Sequence, residues 1–132
     1  MSYRVLIVDD SSVVRHIVRR ALTISGIEAD PVFEAGNGRE ALAVLHGNWI
    51  DIVFADINMP LMSGAELVEV MAREGMLSAT PVVIVSSEHS EKRVQELKQL
   101  GARAFLVKPF RPEAIRQVFC EVLHPGKETH HG

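Results

Sequence analysis

The chain predicts an α/β fold, a doubly wound parallel sheet of five strands with helices on both faces, and three observations carry that prediction. Short apolar runs rich in β-branched residues alternate five times with longer segments of helical periodicity. The runs at 52–55 and 82–85 are apolar throughout, which is the pattern of strands buried on both faces. At 132 residues with 47% hydrophobic content, the chain has the size of one compact domain with a substantial core. That domain is expected over residues 1–124, with 125–132 as a disordered C-terminal tail.

Composition narrows the class. The formal net charge is −3, and the basic residues are dispersed apart from the group between Arg15 and Arg20, so no nucleic-acid surface is expected. The single Cys120 leaves no internal disulfide. No charged-then-apolar leader and no apolar segment of membrane length occurs, so the expectation is a soluble cytoplasmic protein without a membrane partner. The six histidines, His16, His46, His89, His124, His130 and His131, lack metal-ligand spacing and read as solvated surface.

The first strand spans residues 4–8 and ends in the acidic pair Asp9 and Asp10. Ser11 or Ser12 caps a helix whose apolar positions Val13, Val14, Ile17, Val18, Ala21 and Leu22 keep helical spacing up to Gly26. Arg15, His16, Arg19 and Arg20 lie mostly off that stripe, as a solvated face or as a docking surface. The second strand lies within 27–35. Asp30 and Pro31 interrupt it, so an edge strand beginning near Val32 is expected. Gly36, Asn37 and Gly38 form a turn, and a short helix from Glu40 to His46 stops near Gly47.

Trp49 leads into the third strand, 52–55, with Asp56 at its exit. It should lie roughly 20 Å from Asp56, packed at the opposite end of that strand. Pro60 and Gly64 follow, then a helix from Ala65 to Glu74 with Leu67, Val68, Val70 and Met71 as its buried stripe. Pro81 introduces the fourth strand, 82–85, with Ser86 and Ser87 at its exit. Ser90 caps a fourth helix that has a narrow stripe of Val94, Leu97 and Leu100 among charges, so few contacts hold it. The fifth strand, 104–107, precedes Lys108, Pro109 and Phe110. Pro112 opens the last helix, with Ile115, Val118, Phe119, Val122 and Leu123 inward.

Four strand exits thus carry polar groups: Asp9 and Asp10, Asp56, Ser86, and Lys108. Ligands of open parallel sheets bind at the C-terminal ends of the strands, so these groups face a site. Carboxylates brought together raise one another's pKa and require a cation. An oxygen-only set suits a hard ion that keeps several waters, Mg²⁺ above all, with Mn²⁺ as the alternative. A carboxylate can also attack phosphorus to give an acyl phosphate once the charge on the transferring group is neutralised. Asp56 is the candidate nucleophile. Asp10 and Asp56 hold the metal, Asp9 acts through water, and Lys108 and the Ser86 hydroxyl serve the other phosphoryl oxygens. Without a Walker A loop, the phosphoryl group must come from elsewhere.

Asp9 and Asp10, the run Asp56, Ile57, Asn58, Met59, Pro60 with Gly64, then Ser86, then Lys108, Pro109, Phe110 resemble the receiver domain of two-component response regulators. The resemblance covers about residues 3–124 and is strongest to the single-domain chemotaxis type. It implies the flavodoxin-like (βα)5 arrangement with strand order 2-1-3-4-5. It further implies phosphotransfer to Asp56 from a histidine kinase or a histidine phosphotransfer protein, with Mg²⁺ held in part by the Asn58 backbone carbonyl. In the same family the hydroxyl residue and an aromatic of strand five form a switch, here Ser86 and Phe105. Phe105 stands where a tyrosine is often found, and it has no hydroxyl to bond outward. Asn58 and Glu88 match the pair that tunes hydrolysis, and the Lys108–Pro109 bond is implied to be cis. The segment between Gly26 and Gly38 is longer than usual, so strand two starts late or bulges.

The resulting expectation is a phosphoacceptor module that assists its own Mg²⁺-dependent phosphotransfer and dephosphorylation and is otherwise no enzyme. It switches binding to a downstream protein through helix four, strand five and helix five, as a monomer or weak dimer. A receiver-like binding module that never becomes phosphorylated is disfavoured because all the site residues are retained, and two other readings stay open. One is a receiver excised from a longer DNA-binding or enzymatic regulator. The other is an aspartyl-phosphate phosphatase of the haloacid-dehalogenase kind, which is disfavoured because Asn58 stands where that chemistry wants a second acid.

Overall fold

The structure, a computed structural model, describes residues 2–87 and 90–124. Its elements alternate throughout: β1 (Tyr3–Val8), α1 (Ser12–Ile24), β2 (Ala29–Ala35), α2 (Gly38–Gly47), β3 (Ile52–Asp56), α3 (Gly64–Arg73), β4 (Val82–Ser86), α4 (Glu91–Leu100), β5 (Ala104–Val107) and α5 (Pro112–Leu123). The strands are all parallel, in the order β2-β1-β3-β4-β5. The sheet is therefore doubly wound, with β1 and β3 adjacent as the site requires. The expected tail, 125–132, lies outside the described residues.

Side-chain alternation along each strand divides the core in two. Val5, Ile7, Ile52, Phe54, Val83 and Val85 face α1 and α5, where they meet Val18, Leu22, Ile115 and Phe119. Leu6, Val8, Val53, Ala55 and Ile84 point the other way, onto Ala41 of α2, Leu67, Val68 and Met71 of α3, and Leu97 of α4. Every residue of β4 is buried, as its unbroken apolar run predicted.

The helix starts follow their capping chemistry. Ser11 accepts from the Val14 amide, Asn37 from Glu40 and Ser90 from Arg93, while Ser63 and Glu66 form a reciprocal capping box. Pro112 opens α5, where the absent N–H has no intrahelical partner to lose.

Three expectations need correction. β2 begins at Ala29 rather than near Val32 and runs through Pro31. The register steps from Tyr3 with Ala29 to Val5 with Val32, so one extra residue is absorbed as a bulge. β2 is an edge strand paired only with β1, which leaves room for a residue without an N–H. Trp49 is not packed at the end of the sheet: it is 59% exposed, and its indole N–H donates to Asp51 Oδ1 at 2.9 Å. On α1 only Val18, Ala21 and Leu22 are buried, whereas Val13 and Ile17 stand in solvent. No helix among the described residues is long and apolar enough to cross a membrane.

Candidate functional site

Strand register assembles the site. Val8 pairs with Ala55, so one step further sets Asp9 beside Asp56. Asp56 pairs with Val85, which places Ser86 one residue beyond, and Ser86 pairs with Val107, which places Lys108 next. The Lys108 amide donates to the Ser86 carbonyl at 2.8 Å, holding the β5 exit against β4.

The side chains converge accordingly. Lys108 Nζ lies 3.1 Å from Asp56 Oδ1 and 3.5 Å from Asp9 Oδ2. Asp9, Asp10 and Asp56 each offer a carboxylate oxygen, all within 4.8 Å of one another. Asp9 is buried, Asp56 half-buried and Asp10 exposed, so the cluster opens toward solvent on one side. Burial drives the Asp9 pKa above the usual carboxylate value. The Ser11 amide, which donates to Asp9 Oδ1 at 2.9 Å, opposes that shift, Asp56 reinforces it, Lys108 opposes it, and Asp10 reinforces it. Crowded carboxylates with one ammonium among them are short of positive charge, and their all-oxygen donor set fits a hard divalent cation.

The remaining predicted residues lie around this centre. Ser86 is buried at the same edge, and Asn58 is exposed in the loop that leaves Asp56. Phe105 is half-buried on β5, paired with Ile84 rather than at the carboxylates. The Lys108–Pro109 peptide is cis. Glu88 lies outside the described residues.

Two residues that the sequence names take contacts at the site that it did not specify. The Gly64 amide donates to the Ile57 carbonyl at 2.8 Å, and a Cβ at position 64 would overlap the Asp56 carbonyl oxygen. Arg15 reaches back from α1 to the Asp9 carbonyl, with Nη1 at 2.6 Å. The Gly64 signal was legible as a glycine shortly after the acid. Arg15 looked like one charge among several on a helix surface.

An acid cluster and a lysine at the C-terminal edge of a sheet ordered 2-1-3-4-5 define a class of signalling domain, and sequence comparison agrees. The family model of the response regulator receiver domain matches residues 5–119, and the chain belongs to that family. Within it the resemblance is to chemotaxis proteins. A CheY homolog of Campylobacter jejuni is 35% identical over 124 residues, covering 93% of this chain and 94% of the relative. The chemotaxis protein CheY of Pseudomonas aeruginosa is 32% identical over 114 residues, 86% of this chain and 90% of that one. Among solved structures, Vibrio cholerae CheY4 superposes with a TM-score of 0.82 at 37% identity, covering 93% of this chain and 100% of its own. The matched chain of the Borrelia burgdorferi CheX–CheY–BeF3–Mg²⁺ complex gives 0.80 at 29% identity, with 91% and 88% covered. The family match favours a response regulator receiver over a phosphatase.

Proposed function

We propose that Asp56 accepts a phosphoryl group from a histidine kinase or histidine phosphotransfer protein, and that the acyl phosphate changes which protein the domain binds. The observation that carries this reading is Lys108 Nζ lying between Asp56 Oδ1 and Asp9 Oδ2 within a three-carboxylate cluster. An Asp56 oxygen attacks phosphorus as the bond to the donor imidazole nitrogen breaks; the bond pair stays with the ring, which leaves neutral because its other nitrogen is protonated. Lys108 supplies a fixed positive charge to the phosphoryl oxygens, and the Ser86 hydroxyl donates to another as it turns inward. Asp9, Asp10, Asp56 and the Asn58 carbonyl would hold Mg²⁺, or Mn²⁺ in its place, and the ion, when bound, would neutralise charge on the transferring group. The Mg²⁺ of the Borrelia complex supports that choice of ion.

Ser86 and Phe105 would relay the change toward α4, β5 and α5, whose β5–α5 side carries a cleft lined by Phe105, Val107, Phe110 and Val118. Asn58 and Glu88 would set the lifetime of the acyl phosphate by governing access of water. The domain would work in the cytoplasm, where kinases of this kind present their phosphohistidine.

Intact mass after incubation with a small acyl-phosphate donor tests the reading. Wild type should gain one phosphoryl group with Mg²⁺ and none without it, and Asp56→Asn should gain none. An adduct retained by Asp56→Asn, or absent from wild type in Mg²⁺, would overturn it.

A further inference from the structure

Arg15 touches no reacting atom, yet its guanidinium spans two elements that the site depends on. Beyond Val8 the ladders of β1 with β2 and β3 end, so the Asp9 carbonyl has left the sheet. Arg15 Nη1 donates to that carbonyl at 2.6 Å. Arg15 Nε donates at 2.8 Å to Glu34 Oε1 on β2. Glu34 is braced in turn: its Oε2 accepts from Arg19 Nη2 at 2.7 Å and from Arg19 Nε at 3.1 Å. The Asp9 amide meanwhile donates to the Ala35 carbonyl at 3.0 Å. Both sides of the Asp9 residue are therefore tied, one by the edge strand and one by α1.

We infer that Arg15 is a positioning residue for the acidic site: it fixes the Asp9 peptide and with it the turn that presents Asp9 and Asp10 to a divalent cation. The role rests on the proposed phosphoacceptor reading, since only a cation-dependent reaction would register it. Three carboxylates with one ammonium among them still repel one another, and the turn after β1 carries two of the three. Holding that turn in advance removes an ordering cost from cation binding. The guanidinium suits the task because its planar fork serves a carbonyl and a carboxylate at once; a lysine ammonium cannot match that geometry. Glu34 orients the fork, and Arg19 keeps Glu34 in place.

The test is Mg²⁺ affinity by isothermal titration calorimetry on the full chain, beside phosphoryl uptake from a small acyl-phosphate donor across a Mg²⁺ series. Arg15→Ala should raise the Mg²⁺ Kd about tenfold, within the span known for outer-shell partners of metal ligands. Arg15→Lys should recover only part of that loss, and Glu34→Ala should show a smaller loss of the same kind. At saturating Mg²⁺ the uptake rate of each variant should return to within about twofold of wild type, because the reacting groups themselves are intact. A merely structural tie would lower the melting temperature and leave the Mg²⁺ Kd unchanged, and that result overturns the inference. Should Arg15→Ala fail to fold, Arg15→Lys and Glu34→Ala carry the same comparison. Wild type that takes up Mg²⁺ and phosphoryl while the variants match it sinks the positioning role alone; wild type that takes up neither sinks the proposed function and this role with it.

Discussion

At the scale of single residues, the two acids that end β1 differ sharply, although the sequence sets them side by side. Asp9 is buried at 5% exposure and Asp10 is exposed. Which member of such a pair turns inward depends on the turn, so the pair was legible in the sequence and its asymmetry was not. Burial holds the Asp9 pKa above the ordinary carboxylate value, so the fold without a cation binds a proton there more readily than the unfolded chain does. Ionised Asp9 therefore costs stability at neutral pH, and the cost is relieved as pH falls through its folded pKa. Glu34 has the opposite sign. Hydrogen bonds from Arg19 and then Arg15 hold it below the ordinary value, so its contribution is present above that value and lost as pH falls through its lower folded pKa. The two windows lie on either side of the unfolded carboxylate range, at about pH 4. Urea unfolding without divalent cations should find Asp9→Asn more stable than wild type at pH 7, with the gap narrowing as acid approaches that range. Added Mg²⁺ should reverse the order, because ligand binding stabilises the protein that binds it more tightly. An Asp9→Asn protein less stable than wild type at pH 7 without cation would show that Asp9 is held by more than it costs.

At the scale of elements, the sequence was read best where a single local cause decides the outcome. The serine caps of α1 and α4, the proline that opens α5, and the unbroken apolar run of β4 each appear where expected. It was read worst where a partner decides. Pro31 left both a late start and a bulge open for β2, and pairing with β1 decides for the bulge, so the strand passes through the proline. Trp49 was expected to pack at the end of β3 away from Asp56, yet Asp51 offers its indole N–H a partner at the surface. The loop from β3 to α3 has a cause of the first kind. Gly64 lies so close to the Asp56 carbonyl that a methyl group there displaces backbone rather than the end of a flexible side chain. Gly64→Ala should accordingly cost about 1–3 kcal/mol in urea unfolding, the usual range for overpacking a closed site. Because the displaced peptide is that of Asp56 itself, phosphoryl uptake at saturating Mg²⁺ should also fall. A variant as stable and as reactive as wild type would mean that the loop can retreat.

Over the whole molecule, the alternation that predicts a doubly wound sheet also predicts two cores, and within the layer that packs on one of them neighbouring helices are not anchored alike. α3 buries Leu67, Val68 and Met71 among others, whereas α4 buries Leu97 alone and leaves Val94 and Leu100 half-exposed. The sequence showed this in the narrow stripe of α4 amid its charges. α4 also follows the β4 exit that carries Ser86, so a lightly held element stands next to the proposed switch. Elements with few buried contacts open locally before the whole fold does. Amide exchange in α4 should therefore report a lower opening free energy than exchange in α3 or β4. The same physics sets a ceiling on mutational damage. Leu67 and Leu97 are both fully buried, and a buried Leu→Ala change ordinarily costs about 2–5 kcal/mol. Once α4 has detached, however, residue 97 touches nothing in either the native ensemble or the unfolded chain, and removing its side chain costs no more. Global unfolding should then charge Leu97→Ala no more than the opening free energy of α4, and less than Leu67→Ala, while exchange in α4 becomes fast and β4 stays protected. Equal costs for the two variants, with α4 as protected as β4, would show that α4 unfolds only with the sheet and would deny the switch its mobile element.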